Sequence, residues 1–235
     1  MASDDLYQLL ERYIPNDHAR QVTSTYYVEK LMSEGPRGRQ VMDLGCGPGD
    51  TVDLFRRLDP DVDWHGVDIE SSPEVDGRTR TDAPFHAYDG EHLPFDGGSF
   101  DIVYSHQVFE HVRRPEALLG EVARVLRAGG SFIGSVSALE PYHSFSFFNY
   151  TPYGWSVLLE AAGLELVELR PGMDAIALLQ RQFLGRPAYA MKWVESSPLN
   201  EEIDAWGKKT GRRPALINLR KIQYCGHLVF HARRP

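Results

Sequence analysis

Cysteine is scarce: Cys46 and Cys225 are the only two in 235 residues. Two are too few for a disulfide framework, and Cys46 lies in a glycine-rich stretch where a crosslink is awkward, so a reducing, cytoplasmic setting is expected. Long apolar runs are also missing. None approaches the ~20 residues that span a bilayer, and the N-terminus, MASDDLYQLLERY, carries acids where a signal peptide carries positive charge. A soluble chain with no membrane partner is expected. Positive charge is in deficit as well, with 25 Lys+Arg against 33 Asp+Glu and a net charge of −8, which disfavours a nucleic-acid partner. Neither a CxxC pair nor a His-x-His cluster occurs, so no metal is expected.

What charge there is lies unevenly. Trp206 to Pro235 holds eight Lys/Arg and no Asp/Glu, leaving 17 Lys/Arg against 33 Asp/Glu, a net −16, on the first 205 residues. That basic run (Lys208, Lys209, Arg212, Arg213, Arg220, Lys221, Arg233 and Arg234) reads first as a solvated face or internal charge balance, and second as a surface for an anionic or carrier-bound substrate. The sequence specifies no oligomeric state.

Five short apolar runs read as buried strands: Gln40 to Leu44, Asp63 to Ile69, Phe85 to Tyr88, Phe100 to Tyr104 and Ser131 to Val136. Between the last two, Pro115 followed by Leu118, Leu119, Val122, Val125 and Leu126 has helical spacing, with Gly129-Gly130 at its exit. A second helix opens at Thr151-Pro152, turns Trp155, Leu158, Leu159 and Ala162 inward and stops at Gly163, before a strand from Leu164 to Leu169. This alternation predicts an α/β fold, a three-layer sandwich around a mostly parallel seven-stranded sheet. Arg170 to Lys221 reads as a helical insertion (Ala175 to Phe183, Pro198 to Lys208) before a final strand from Ile222 to Ala232, antiparallel to Leu164 to Leu169. The organisation expected is one domain over 1–235: N-terminal lid helices in 1–38, a cofactor-binding core in 39–169, a helical substrate cap in 170–221 and the last strand in 222–235.

The stretch Asp43-Leu44-Gly45-Cys46-Gly47-Pro48-Gly49-Asp50 sets alternate glycines at a strand-to-helix turn, where glycine allows positive φ and lets a ligand approach bare backbone. In an open α/β sheet such a turn lies at the carboxyl edge, where ligands bind. The spacing is GxGxG rather than the GxGxxG of a dinucleotide site, and Asp43 and Asp50 flank the loop. Those carboxylates suit a ligand carrying ammonium and sulfonium better than a pyrophosphate.

With these motifs in order, the chain resembles the class I S-adenosylmethionine-dependent methyltransferases, small-molecule subgroup, over about Arg39 to Leu169. DLGCGPGD resembles that family's first motif, HGVDIE its ribose-binding strand end, AYDGEHLPF its adenine-lining segment, and SFDIVYSHQVFEHV with EVARVLRAGGSFIGSV its fourth and fifth strands. The resemblance implies S-adenosyl-L-methionine as cofactor, held by Asp43, Gly45, Cys46, Gly47, Gly49, Asp68, Ile69, Asp89, Gly90, Glu91 and Ser105. Asp68 would take the ribose hydroxyls as a buried bidentate acid, and Asp89 the exocyclic amine. Ser71 to Pro84 departs from the family pattern. Two prolines, Gly77 and little apolar periodicity predict a loop there, where a helix is usual.

Methyl transfer is a displacement that rests mainly on positioning, and a base matters when the acceptor is a hydroxyl. His143, after the fifth strand, ranks first for that role and His106, after the fourth, second, while His111 is expected to pack or cap. Phe145, Phe147, Phe148, Tyr150, Tyr153 and Trp155 read equally as a pocket wall or as cover for an N-terminal segment bearing Tyr7, Tyr13, Tyr26 and Tyr27. Ser105-His106-Gln107 replaces the Asn/Asp-Pro-Pro-aromatic tetrapeptide of amino-group DNA methyltransferases, which again points to a small-molecule substrate. A methyl acceptor at O, N or C of a small metabolite, such as a sugar, glycan precursor or natural-product intermediate, is expected. The alternatives are a non-catalytic S-adenosylmethionine-binding protein and, further off, an NAD-dependent oxidoreductase.

Overall fold

A computed structural model describes residues 8–235; Tyr7 and the first part of the expected lid region lie outside the described residues. Seven strands form one sheet in the order β3-β2-β1-β4-β5-β7-β6. They are β1 (Gln40–Leu44), β2 (Asp63–Ile69), β3 (Phe85–Tyr88), β4 (Phe100–His106), β5 (Leu126–Ser137), β6 (Glu165–Pro171) and β7 (His227–Arg233). The first five pair in parallel, and β7 runs antiparallel to both β5 and β6. The chain moves from β1 to β2 and β3 on one side and then crosses to β4 on the other, so the β1–β4 boundary is the switch point where a crevice opens.

The helices are α1 (Tyr26–Glu34), α2 (Val52–Leu58), α3 (Pro73–Asp76), α4 (Pro115–Val125), α5 (Pro152–Ala161), α6 (Ala175–Phe183), α7 (Pro198–Lys209) and α8 (Pro214–Ile222). The period-2 alternation of strand side chains sends successive residues to opposite faces. Met42 and Leu44, Phe132 and Val136, Leu228 and Phe230 join one core with Leu118, Leu119 and Val122 of α4, Trp155 of α5 and Leu219 of α8. Val41, Ile102, Tyr104 and Ile133 join the other with Tyr27 and Val28 of α1 and Phe55 of α2. These are the three expected layers. Trp155 anchors the first core, its ring 5.3 Å from that of Phe109 and 5.1 Å from that of Phe230.

Several boundaries differ from the sequence reading. α4 ends at Val125 because Leu126 is already extended, so Gly129-Gly130 lies inside β5 rather than at a helix exit; Gly129, at φ +78°, donates its N–H to Arg234 O at 2.8 Å. β4 continues through His106, and β6 through Pro171. Ile222 closes α8, opened by Pro214 at its first turn, so the last strand starts at His227 rather than Ile222. The Ser71 to Pro84 segment is irregular except for the single turn of α3, where Ser72 Oγ accepts the Val75 N–H at 3.2 Å.

Residues before α1 run against the insertion. Gln21 donates to Trp193 O and Val194 O, both at 2.8 Å. The fully buried Arg170 reaches Asp17 at 2.8 Å, and Lys221 Nζ donates to Ala19 O and Asp204, each at 2.7 Å. Part of the basic C-terminal run is paired within the chain, while Lys208 and Lys209 are exposed. Arg220 lies 4.2 Å over the Trp206 ring, Arg213 and Arg233 pair with Glu11 and Glu165, and Arg234 donates to Arg124 O. Among the described residues, no helix is long and apolar enough to cross a membrane.

Candidate active site

The glycine loop leaves β1 at the switch point. Gly45, Gly47 and Gly49 all have positive φ, at +73°, +49° and +88°, a region that side-chain-bearing residues rarely adopt. A Cβ on Gly45 would lie 2.2 Å from Val108, and one on Gly49 2.8 Å from the Phe85 ring. Gly45 and Cys46 donate to Val67 O at 2.7 and 3.2 Å, which ties the loop to β2. Gly47 donates to Asp68 Oδ2 at 2.7 Å, and the Ile69 N–H takes Oδ1 at 2.8 Å. Asp68 is half-buried rather than buried as expected, because it sits at the open end of β2. Each of its oxygens keeps a lone pair for a further donor.

Asp43 lies beneath the loop at 2% exposure and accepts the Thr51 hydroxyl, to which Trp64 Nε1 also donates at 3.2 Å. Burial raises its pKa to about 7, aided by the charges of Asp68 and Asp50 and opposed by the Thr51 bond. Thr51, not Asp50, is the residue before α2; Asp50 is exposed. The Cys46 thiol is buried, and burial pushes its pKa well up, so this sulfur acts as packing.

On the other side of β2, Asp89 is exposed and folds its own turn. It accepts the N–H groups of Glu91 and His92 at 2.8 and 2.7 Å and His92 Nδ1 at 2.8 Å. These bonds hold its carboxyl well below the usual range. Gly90 follows at φ +90°, and Glu91 meets Arg114 at 3.2 Å. Ser105, at the end of β4, is buried with no hydrogen-bond partner for its hydroxyl. Sequence reasoning missed Arg78. From the irregular segment after α3 it donates to Gly47 O at 2.8 and 2.6 Å and stacks 4.0 Å over Phe85, so it covers the outer side of the loop.

Beyond the loop, the carboxyl ends of β4 and β5 meet the amino end of the antiparallel β7, and polar side chains converge there. Glu140 takes the Ser137 hydroxyl and Gln182 Nε2 at 3.0 Å, and stands 3.4 Å from His227 Nε2 and 3.7 Å from His143 Nδ1. Burial opposes its ionisation, but His227, Ser137 and His143 outweigh that and bring its pKa down to about 2. Gln107, held at φ +55°, donates to Glu110 Oε1 at 2.8 Å and Glu140 Oε2 at 3.0 Å when its amide faces the carboxylates. His106 closes the floor with Nδ1 2.7 Å from Ser135 Oγ. Solvent reaches its ring from the crevice, yet the protein packed around it, with a smaller contribution from His227, lowers its pKa and keeps the imidazole neutral. Gln107, Glu110, Ser137, Glu140 and His227 are assembled from three chain segments, and no local spacing announces them.

The Phe145–Trp155 aromatics divide by depth. Tyr150 and Trp155 are buried, while Phe145, Phe147 and Phe148 are exposed on a strap pinned to β4's exit and Tyr153 is exposed in the first turn of α5. Phe147 N–H donates to Glu110 O at 2.6 Å and Tyr150 OH to Phe109 O at 2.8 Å. Surface concavities of 590 Å³ along β6 and 430 Å³ at the amino ends of β1 and β4 lie elsewhere. The convergent chemistry, rather than volume, marks the crevice as the candidate site.

Residues 42–134 match the methyltransferase domain family. The ubiquinone biosynthesis O-methyltransferase of Sodalis glossinidius is 26% identical over 194 residues, covering 80% of this chain and 70% of that protein; across three such O-methyltransferases the chain spans about two thirds of the relatives' length. Among solved structures, a chain from the complex of the Haloferax volcanii Trm112 methyltransferase activator with a methyltransferase superposes at TM-score 0.58 with 22% identity, covering 100% of this chain and 95% of that one. Phosphoethanolamine N-methyltransferase 2 of Haemonchus contortus, solved with S-adenosyl-L-methionine, superposes at TM-score 0.57 with 15% identity, covering 99% of this chain and 57% of that one.

Proposed function

As a member of the class I S-adenosylmethionine-dependent methyltransferases, this chain, we propose, transfers a methyl group from S-adenosyl-L-methionine to an oxygen of a small metabolite. The observation that carries the reading is the bare-backbone cradle of Gly45, Gly47 and Gly49 set between two carboxylates, Asp43 below and Asp68 beside it. A cradle in which three alternate residues lack a Cβ, lined by acids, fits a ligand with an ammonium, a sulfonium and ribose hydroxyls. It does not fit a pyrophosphate. When bound, that cofactor supplies an electrophilic methyl group.

The chain's residues do the rest. Asp43, ionised by the approach of an ammonium, holds the amino-acid end, with Gly45, Cys46 and Gly49 giving it room. Asp68 accepts from the ribose hydroxyls, next to Ile69. Asp89, Gly90 and Glu91 form the rigid turn on the adenine side, and Ser105 offers its unpartnered hydroxyl at the floor. At the acceptor end, Glu140 holds the imidazoles of His143 and His227, and a Glu-backed imidazole is suited to taking the proton of a hydroxyl acceptor. His106 lines the floor as a neutral ring. An oxygen acceptor is favoured over nitrogen or carbon because this pair is built for proton removal, in keeping with the named activity of the Sodalis relative. A small, soluble acceptor and a cytoplasmic location fit the net negative charge and two free, buried thiols.

Calorimetric titration with S-adenosylmethionine and S-adenosylhomocysteine tests the cofactor, and a panel of phenols and sugars tests the acceptor. Tight cofactor binding with no turnover on any hydroxyl acceptor would favour a non-catalytic binding protein. Binding of NADH alone would favour an oxidoreductase.

A further inference from the structure

Among the described residues, one group of metal-ligating side chains comes together: Glu110, His111 and His143 each offer a ligand atom, and these atoms lie within 4.8 Å of one another. We propose that the three form a site for a divalent transition-metal ion of the zinc type at the acceptor end of the crevice, with one carboxylate and two imidazoles as ligands.

Three features besides proximity point to an ion. Glu110 is fully buried, and its Oε2 has no hydrogen-bond partner, while Oε1 accepts from Ser137 at 3.0 Å. A buried carboxylate oxygen with nothing to bind is costly and rare, and a cation supplies what the protein does not. His143 is oriented as metal-ligating histidines are. Its Nδ1 is bonded to Pro141 O at 3.1 Å with Glu140 behind at 3.7 Å, which places the proton on Nδ1 and leaves the Nε2 lone pair free. His111 meets His143 edge to face, the ring centroids 5.1 Å apart, and both rings are half-buried, so they can approach a common point.

Ligand chemistry selects the ion. Two imidazoles and one carboxylate suit zinc, manganese or iron(II) rather than magnesium or calcium. With metal–ligand distances of about 2.0–2.2 Å, neighbouring ligand atoms stand roughly 3.0–3.5 Å apart, so the rings close by an ångström or so when the ion enters. Three protein ligands leave positions open to water or to an acceptor oxygen. That last role rests on the proposed methyl-acceptor chemistry; binding of the ion does not. With His143 given to the ion, His227 remains the imidazole backed by Glu140. Local spacing hid the site, since Glu110 and His111 follow β4 whereas His143 follows β5.

The test uses the full chain, stripped with a chelator and titrated with cobalt(II) while its visible d–d absorption is followed. One equivalent is expected to bind, with affinity falling at least 10-fold in His111→Ala and in His143→Ala, and circular dichroism unchanged. The double variant His65→Ala/His86→Ala removes the other close imidazole pair (3.1 Å apart) and is expected to bind cobalt as the parent does. Absence of a d–d band, or an identical band and affinity in His143→Ala, overturns the proposal. So does a band lost only in the His65/His86 variant. S-adenosylhomocysteine calorimetry on the same samples keeps the two readings apart: cofactor binding without cobalt binding sinks the metal site alone, and the converse sinks the methyl-donor reading alone.

Discussion

Gly47 donates its backbone N–H to Asp68 Oδ2 at 2.7 Å, so the middle glycine of the loop and the acid ending β2 are a single unit. The bond has two consequences. It fixes a carboxylate at the mouth of the glycine cradle, and it makes the loop's conformation depend on the acid that faces the ligand.

Asp68→Ala is therefore expected to weaken S-adenosylmethionine binding by ~1–3 kcal/mol through lost charge-assisted hydrogen bonds, with the fold kept. Asp68→Asn should lose less, since an amide oxygen still accepts the Gly47 N–H. Isothermal titration of the three proteins checks this, and an unchanged dissociation constant for Asp68→Ala would remove Asp68 from the site.

Asp43 carries a pH signature. Its folded pKa of about 7 exceeds the ordinary aspartate value of 3.8, so the folded state binds the extra proton. The resulting stability is fully present below about pH 4 and is lost as pH rises through about 7, a change on the order of 2–4 kcal/mol. Asp43→Asn, which mimics the protonated acid, should be more stable than the parent at pH 8 and indistinguishable at pH 4. Urea unfolding at the two pH values measures it; equal stability at pH 8 contradicts the assignment.

The same group governs binding. An ammonium ligand needs Asp43 ionised, so cofactor affinity should rise between pH 6 and 8, with a proton released on binding at pH 6. Calorimetry in two buffers of different ionisation enthalpy counts that proton, and buffer-independent heats would contradict it.

At the acceptor end, Glu140→Gln and His227→Ala should each lower kcat by about 10²–10⁴-fold for a hydroxyl acceptor, with cofactor affinity retained. Raising the pH should restore part of the His227→Ala rate as the hydroxyl ionises unaided. Loss of cofactor binding in either variant would place these residues in the wrong half of the crevice.

Gly134 supports the site from beneath. At φ +152°, an added Cβ would lie 1.7 Å from Ser105 O, inside the β4–β5 pairing that positions Ser105 and His106. Gly134→Ala should destabilise the fold by at least about 2 kcal/mol, read as a lower melting temperature, whereas Gly90→Ala, with open space at its Cβ, should reduce stability only through its φ of +90°.

The sheet was legible in the sequence because its signals are local. Val41 to Leu44 and Phe100 to Tyr104 are apolar runs bounded by turn residues, and Thr151-Pro152 is a cap that the structure uses, with Thr151 Oγ1 accepting the Gly154 N–H at 3.0 Å. The glycine loop was equally legible, as positive φ leaves glycine in the sequence. Register was not: Gly129 and Gly130 read as a stop, and only their pairing with Arg234 makes them strand. The acceptor end was half legible. His106 and His143 stand out as lone imidazoles, but Glu140, Gln107 and His227 matter because β7 enters the sheet antiparallel and brings its first residue to the carboxyl edge, a long-range event with no local trace. Arg78 was hidden in a segment whose prolines and Gly77 told only that it is irregular.

The most direct test of the central claim is calorimetric titration of the purified protein with S-adenosylmethionine, S-adenosylhomocysteine and NADH. The cradle between Asp43 and Asp68 predicts micromolar, one-to-one binding of the two sulfur ligands and none of NADH. Binding of NADH, with neither sulfur ligand bound, would contradict it.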